Sequence, residues 1–477
     1  MDREAFITEY ARWLEQGTAA FFIGAGLSRQ AGYPDWRSLL KGIAGELKID
    51  LDQEHDLAGV AQWYINKSGR QKTRIAQTIK DSFPDKAEVP QAHRIMARLP
   101  VRHIWTTNYD RLIERAWELQ RRSLDVKAIK SDLSISSPWV DTTLYKMHGS
   151  VEHPSDIVIA TDDYELYRQT RSGFLQVLNG HLIGMHCLFL GFSFTDPNIA
   201  HLLSIIRESM GDHTSQHYAI VRKPHKDRSK DAEQLLPYEL ARHAHWVNDL
   251  QRYGINCVEI EDFAEIDSIL SEIEAAVARR SVFVSGSYPE DVRDDVRLRI
   301  ERIATGVGQK IADQDLRLIS GFGLTVGSAV IGGALGRLYA HRVPSLDRSL
   351  CLRPFPQVTP EGFEDAAFRR RYREDMIQQA GICVFLSGAK HGAQGLELAQ
   401  GVIEEYEIAR ALGKVIIPVA STGGAAADIW TRLAADGGGG AARLPEEIFR
   451  QLGVTDASVE SACAAIASAI SSATKQH

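Results

Sequence analysis

The chain has 477 residues, 44% of them apolar and 25% charged, with a formal net charge of -7. This is the balance of an ordinary globular protein and excludes a disordered or fibrous chain; at roughly 150 residues per domain the length allows about three domains, or two large ones. The acidic balance gives no electrostatic footprint for nucleic acid or for an anionic membrane, so neither is expected as a partner.

The first residues, MDREAFITEYARWLEQ, carry charges throughout and contain no apolar signal core. No stretch reaches the roughly 20 apolar residues of a membrane span. The nearest, Leu324–Gly336, is short, glycine-rich and closed by Arg337, which suits a loop running into a buried helix. Cysteines stand at 187, 257, 351, 383 and 463 without CxxC spacing. An odd number so spaced argues against a disulfide scaffold and a zinc ribbon, and for a cytoplasmic protein with mostly buried thiols and no metal.

In chain order, strand-like runs occur at Ala19–Ile23, Arg102–Trp105, Thr143–Met147, Cys187–Leu190, His217–Val221 and Asn256–Ile260. Helical patterns fill many intervals, for example Asp35–Leu47 and Asn108–Gln120, and Asp262–Arg280 reads as a closing helix. A second series follows at Ser281–Ser285, Leu316–Ser320, Leu350–Arg353, Ile382–Leu386 and Lys414–Val419. Alternation of this kind predicts an α/β protein of two Rossmann-like, doubly wound domains with mainly parallel sheets, residues 1–280 and 281–477. The low-complexity stretch Asp436–Ala441 reads as a surface loop, and no solenoid repeat is present.

Three segments of the first domain place polar or glycine residues just beyond strand ends. They are Gly24-Ala25-Gly26-Leu27-Ser28, Trp105-Thr106-Thr107-Asn108-Tyr109-Asp110 and Tyr145-Lys146-Met147-His148-Gly149. Glycines there let backbone amides approach a pyrophosphate, and ligands of open α/β sheets sit beyond the carboxyl ends of the strands. Arg29 stands where the full dinucleotide fingerprint has its third glycine. Asn108 also suits a helix N-cap, and Asp196-Pro197-Asn198 suits a turn.

With these motifs in this order, residues 1–280 resemble the sirtuin family: GAGLS matches its GAGxS, TTNYD its TQNID, MHG its His-Gly, and Gly191-Phe192-Ser193 its Gly-Thr-Ser turn. The resemblance implies NAD as substrate, with His148 as general base or proton relay and Asn108 holding the attacking water or a ribose hydroxyl. It places Ser28 with Gly24, Ala25 and Gly26 on phosphate or ribose, and Gly191 and Ser193 on the adenosine half. Asp110 either binds ribose or braces its loop, and Asp196 and Asn198 either bind the adenosine ribose or build the turn. Thr107 departs from the family's Gln, and no four-cysteine zinc module follows His148. That module braces the acyl-lysine groove, so the resemblance points to NAD destruction. A zinc-free deacylase and a non-catalytic NAD- or ADP-ribose-binding assembly module are the alternatives.

In the second domain, the Ser281–Ser287 and Ile319–Ser328 segments each run from a strand into a glycine turn suited to phosphate. Residues 281–477 resemble the SLOG superfamily of nucleotide-binding domains. The stretch Ser387–Gly395 stands where some relatives carry the catalytic PGGxGTxxE, without preserving it, which favours a sensor. Candidate ligand contacts are Ser285, Gly286, Gly321, Phe322, Gly323, Arg373, Lys390 and Glu405; an arginine can grip phosphate bidentately.

A sirtuin-like domain followed by a SLOG domain is similar to the NAD-cleaving effectors of the Thoeris bacterial antiphage system, through GAGLS, WTTNYDRLIE, YKMHG, EHPS, GFSFTDPN, ISGFG and LRPFPQ. That family implies a homotetramer activated by a cyclic ADP-ribose isomer, which a TIR-domain partner protein makes. NAD depletion then gives abortive infection. The gating is physically sensible: a coupling of about 1–3 kcal/mol between two sites shifts an equilibrium roughly 5–150-fold.

Overall fold

Strands in the first half are short apolar runs flanked by helices, and they assemble into one parallel sheet. The computed structural model describes residues 2–475 apart from 136, 195, 212–214, 225–231, 292–293, 344, 357 and 393–394. It divides into two units, 1–274 and 275–477, with the division inside the helix Glu265–Arg279.

The first unit contains β1 (Ala19–Ile23), β2 (His103–Thr106), β3 (Leu124–Lys127), β4 (Thr142–Lys146), β5 (His186–Leu190), β6 (His217–Arg222) and β7 (Ile255–Ile260). Their order is β3-β4-β2-β1-β5-β6-β7, with parallel pairing throughout. β1 is buried at every residue, as a strand covered on both faces must be. Its neighbours are β2 on one side and β5 on the other, so the strand order reverses at β1 and opens a crevice at the carboxyl ends. The sequence pattern does not reveal β3, a half-buried edge strand with two charges among four residues.

One predicted helix starts later than its pattern suggests. The helix expected from Asn108 begins at Leu112 and ends at Leu119. Asp110 Oδ1 accepts from the Leu112 amide at 2.9 Å, which holds residues 107–111 as a separate loop. Asn108 is therefore not a helix cap.

The second unit contains β8 (Ser281–Ser287), β9 (Arg317–Ser320), β10 (Leu350–Leu352), β11 (Ile382–Ser387), β12 (Ala389–Gly392), β13 (Gly395–Leu398) and β14 (Val415–Val419). Five of them form a parallel sheet in the order β10-β9-β8-β11-β14, with its reversal at β8, while β12 and β13 form a separate antiparallel hairpin. Both units are thus Rossmann-like. The apolar stretch after Leu324 becomes the core helix Val326–Ala340. A Cβ on Gly333 would lie 2.1 Å from Thr305 O, and one on Gly308 would lie 1.9 Å from Val330 O. Those glycines set the close crossing of this helix with Asp294–Asp313. The stretch Asp436–Ala441 is not simply a surface loop: Gly439–Ala442 is a helical turn with both end residues buried, and the Gly439 amide donates to Glu446 at 2.8 Å.

Cys187, Cys257 and Cys383 are buried, which pushes each thiol up to about 12. Among the described residues, no helix is long and apolar enough to cross a membrane.

Candidate functional site

The loops after β1 and β5 interlock through glycine. The Gly24 amide donates to Leu190 O at 2.9 Å and the Gly26 amide to Gly191 O at 3.0 Å. A Cβ on Gly24 would lie 2.4 Å from Gly191 O, and one on Gly191 would lie 2.4 Å from the Leu27 amide. Gly191 also has φ +61°, so no other residue fits without strain. The amides of Gly24 and Gly26 are thus engaged within the protein. Ala25 and Gly26 lie on the exposed edge of the short turn Ala25–Ser28, and Ser193 is exposed beyond Gly191.

Under this turn lies a buried hydrogen-bond chain. Asn108 Nδ2 donates to Gly24 O at 3.1 Å and to Ser28 Oγ at 3.0 Å. Ser28 Oγ donates to Asp110 Oδ2 at 2.8 Å. With Leu112 on its other oxygen, Asp110 has both carboxylate oxygens engaged in bracing the loop. Asn108 Oδ1 is buried without a hydrogen-bond partner among the described residues. Buried polar atoms are nearly always paired, so this oxygen is a candidate to accept from a ligand or water.

Lys146 and Glu114 support this loop from below, and the sequence reading missed both. Lys146, at the end of β4, is almost fully buried and donates to Glu114 Oε1 at 2.7 Å and to Asp110 O. Burial raises the Glu114 carboxyl above its ordinary value, and Lys146 opposes that shift. Such a pair specifies geometry more than it stabilises, although removing one partner is costly. Lysine beside His148 in an otherwise apolar strand end was the available signal.

His148 follows β4 and Asn108 follows β2, adjacent strands whose last residues, Thr106 and Lys146, are in register. The turn after it needs Gly149, whose φ is +88° and whose Cβ would meet Asp156 O at 2.9 Å. The imidazole is buried among the ring edges of Tyr164 and Tyr167, with centroids 5.7 and 6.0 Å away. Its Nε2 lies 3.2 Å from Asp196 Oδ2, close enough for an ion pair though without hydrogen-bond alignment. Asp196 caps the helix Pro197–Met210, and Asn198 Nδ2 is buried without a hydrogen-bond partner among the described residues. The crevice therefore combines an amide oxygen without a partner among the described residues, a histidine beside a carboxylate and a glycine-lined rim. This set can orient a hydroxylated ligand and remove a proton from water.

In the second unit several of the predicted residues meet at the carboxyl ends of β8 and β9, while Lys390 is not brought to them. Ser285 Oγ donates to Glu405 Oε2. Arg373 lies 2.8 Å from Glu404 and 3.5 Å from Glu405, with its guanidinium 4.5 Å from the centroid of Phe355. Burial raises the Glu405 carboxyl, against the lowering effects of Ser285 and Arg373. A Cβ on Gly323 would lie 2.1 Å from Gly286 O, so the two glycine loops touch. Gly321 borders Met376, and Phe322 is half-exposed at φ +62°. Lys390 stands exposed on β12, opposite Glu397 in the hairpin. Glu404, Phe355 and the partnerless buried hydroxyl of Ser387 are additions that the sequence did not single out.

Comparison with known proteins agrees with this two-part layout. The SIR2-like domain family matches residues 102–243, and the Sir2- and TIR-associating SLOG family matches residues 265–473. The chain is 37% identical over 430 residues to NAD(+) hydrolase ThsA of Bacillus cereus (strain MSX-D12), covering 90% of this chain and 89% of that one. It is 35% identical over 443 residues to NAD(+) hydrolase ThsA of Enterococcus faecium, covering 91% of each. Defense-associated sirtuin 2 of Bacillus subtilis is 29% identical over 216 residues, 43% of this chain and 20% of that one.

Proposed function

The chain belongs to the ThsA family of NAD(+) hydrolases, and on that premise we propose that it hydrolyses NAD in bacterial antiviral defence. The C1′–N bond between ribose and nicotinamide breaks, and its electron pair leaves with nicotinamide. Water supplies the new C1′–O bond, and its proton passes to His148. The products are nicotinamide, ADP-ribose and a proton. The leaving group is already neutral on departure, so the site needs little acid catalysis. What it must supply is orientation of the ribose, tolerance of an oxocarbenium-like transition state and a base. The observation that carries this reading is the buried Asn108 Oδ1, without a hydrogen-bond partner among the described residues, and the buried His148, which follow the adjacent strands β2 and β4.

The second unit is the sensor in this reading. Ser285, Gly286, Gly321, Phe322, Gly323, Arg373 and Glu405, with Lys390 from the hairpin, would take a cyclic ADP-ribose isomer made by a TIR-domain partner protein. The Sir2- and TIR-associating family supports that pairing. The enzyme would act in the cytoplasm as a homotetramer, and depletion of NAD would end the infected cell's growth.

Chromatography of NAD incubated with the full chain and cyclic ADP-ribose isomers tests the reading. Equal amounts of nicotinamide and ADP-ribose are expected without any peptide. Nicotinamide release that requires an acyl-lysine peptide would identify a deacylase instead. Binding of NAD without product would identify a non-catalytic module.

A further inference from the structure

Asp196 uses its two carboxylate oxygens differently. Oδ1 accepts from the amides of Asn198 at 2.9 Å and Ile199 at 3.2 Å, which caps the helix Pro197–Met210. Oδ2 is left facing His148 Nε2 at 3.2 Å, and both side chains are nearly buried. Resting on the NAD-hydrolase reading, we infer that Asp196 is a positioning residue for His148. Fixed by the helix start, its carboxylate orients the imidazole, keeps the proton on Nε2 and steadies the imidazolium formed when Nδ1 accepts the proton of water.

The geometry favours this over a plain cap. A cap needs one oxygen, and Oδ1 supplies it. The second oxygen lies 3.2 Å from the buried Nε2 of His148, within ion-pair distance, and that nitrogen makes no aligned hydrogen bond among the described residues. The rings of Tyr164 and Tyr167 also pack against the imidazole. Asp163, Tyr109 and Arg171 act electrostatically on those two tyrosines, and Asp163 is paired with Lys72. Burial alone would raise the Asp196 carboxyl. His148 and the two amides outweigh burial and hold it below its ordinary value, so it is ionised at neutral pH. A carboxylate set in place before reaction needs no reorganisation as charge develops on the ring. It also fixes which nitrogen is protonated, as partners of a catalytic imidazole generally do.

Asp196→Asn separates the two tasks, because asparagine caps helices about as well as aspartate but carries no charge. The full chain, as wild type, Asp196→Asn and Asp196→Glu, is assayed for NAD turnover between pH 5 and 9 with cyclic ADP-ribose isomers present. Thermal midpoints are measured in parallel. For Asp196→Asn the expected result is a near-native midpoint, kcat down about 100-fold and KM within about threefold. Asp196→Glu should recover part of kcat, and the pH profile of Asp196→Asn should differ from that of the wild type. Native kcat and pH profile in Asp196→Asn would overturn the inference, leaving Asp196 as a cap only. Raised KM with native kcat would overturn it too, making Asp196 a substrate ligand. If the wild type releases no nicotinamide, it is the hydrolase reading that fails. The ¹⁵N shifts of the His148 imidazole then decide the pairing: a tautomer that changes in Asp196→Asn supports it, and an unchanged one overturns it.

Discussion

Asn108 Nδ2 donates to Ser28 Oγ at 3.0 Å, and this contact ties the loop after β2 to the turn after β1. Ser28 passes the bond on to Asp110, so one hydroxyl orients both the amide and the carboxylate of the crevice. With Nδ2 committed, the Asn108 oxygen is the atom left to accept from NAD or water in the proposed reading.

Ser28→Ala should therefore misorient Asn108 and leave it short of a partner. Loss of one buried hydrogen bond costs about 1–3 kcal/mol. NAD turnover should fall about tenfold or more, with a thermal midpoint only a few degrees lower. Native kcat/KM in this variant would show that the bridge does not orient Asn108.

The glycine interlock gives a prediction with an internal control. Gly191→Ala adds a methyl group 2.4 Å from the Leu27 amide at φ +61°. Strain of about 1–3 kcal/mol in the backbone alone, plus displacement of the Ala25–Ser28 turn, should lower both the thermal midpoint and NAD turnover. Gly180→Ala, in the helix Ser172–Gly184 with open space around it, should be neutral or stabilise by up to about 1 kcal/mol. Equal midpoints for the two variants would contradict the close approach.

How much of this was legible in the sequence depends on what each feature needs. β1 was readable to the residue because it is central and apolar throughout. The strand β3 was not, since an edge strand half open to solvent need not be apolar. The hairpin of β12 and β13 was hidden behind glycines and charges that read as a loop. His148, Asn108 and Ser28 announce themselves by motif. The Lys146–Glu114 pair and the second face of Asp196 do not, because they arise only when distant segments meet. The start of the helix at Leu112 was misplaced for the same kind of reason: the Asp110 side chain, not local propensity, decides where it begins.

Buried histidines predict an acid limit to stability. His93 is fully buried with both ring nitrogens unpartnered, and burial lowers its pKa to about 4. His217 is likewise held at about 4 by burial. The folded pKa lies below the ordinary 6.5, so between those values the unfolded chain binds the extra proton. Stability is therefore intact above pH 6.5 and declines as pH falls toward 4, by up to about 3 kcal/mol per histidine. Thermal midpoints at pH 7 and pH 5 should differ, and His93→Leu should reduce the difference. A pH-independent midpoint across this window would contradict the burial of neutral imidazoles.

Arg373 contacts Glu404 and stacks over Phe355, an arrangement that depends on a planar guanidinium. Arg373→Lys keeps the charge but loses the fork and the stacking. Calorimetry with cyclic ADP-ribose isomers should show at least about tenfold weaker binding, with the fold retained. Unchanged affinity would remove Arg373 from the sensor site.

The most direct test of the central claim is nicotinamide release from NAD by the full chain, with and without a cyclic ADP-ribose isomer, for wild type and His148→Ala. Release by wild type that rises with the isomer, and falls by about 100-fold or more in His148→Ala, is the predicted result. Native turnover by His148→Ala under the same activation would contradict it.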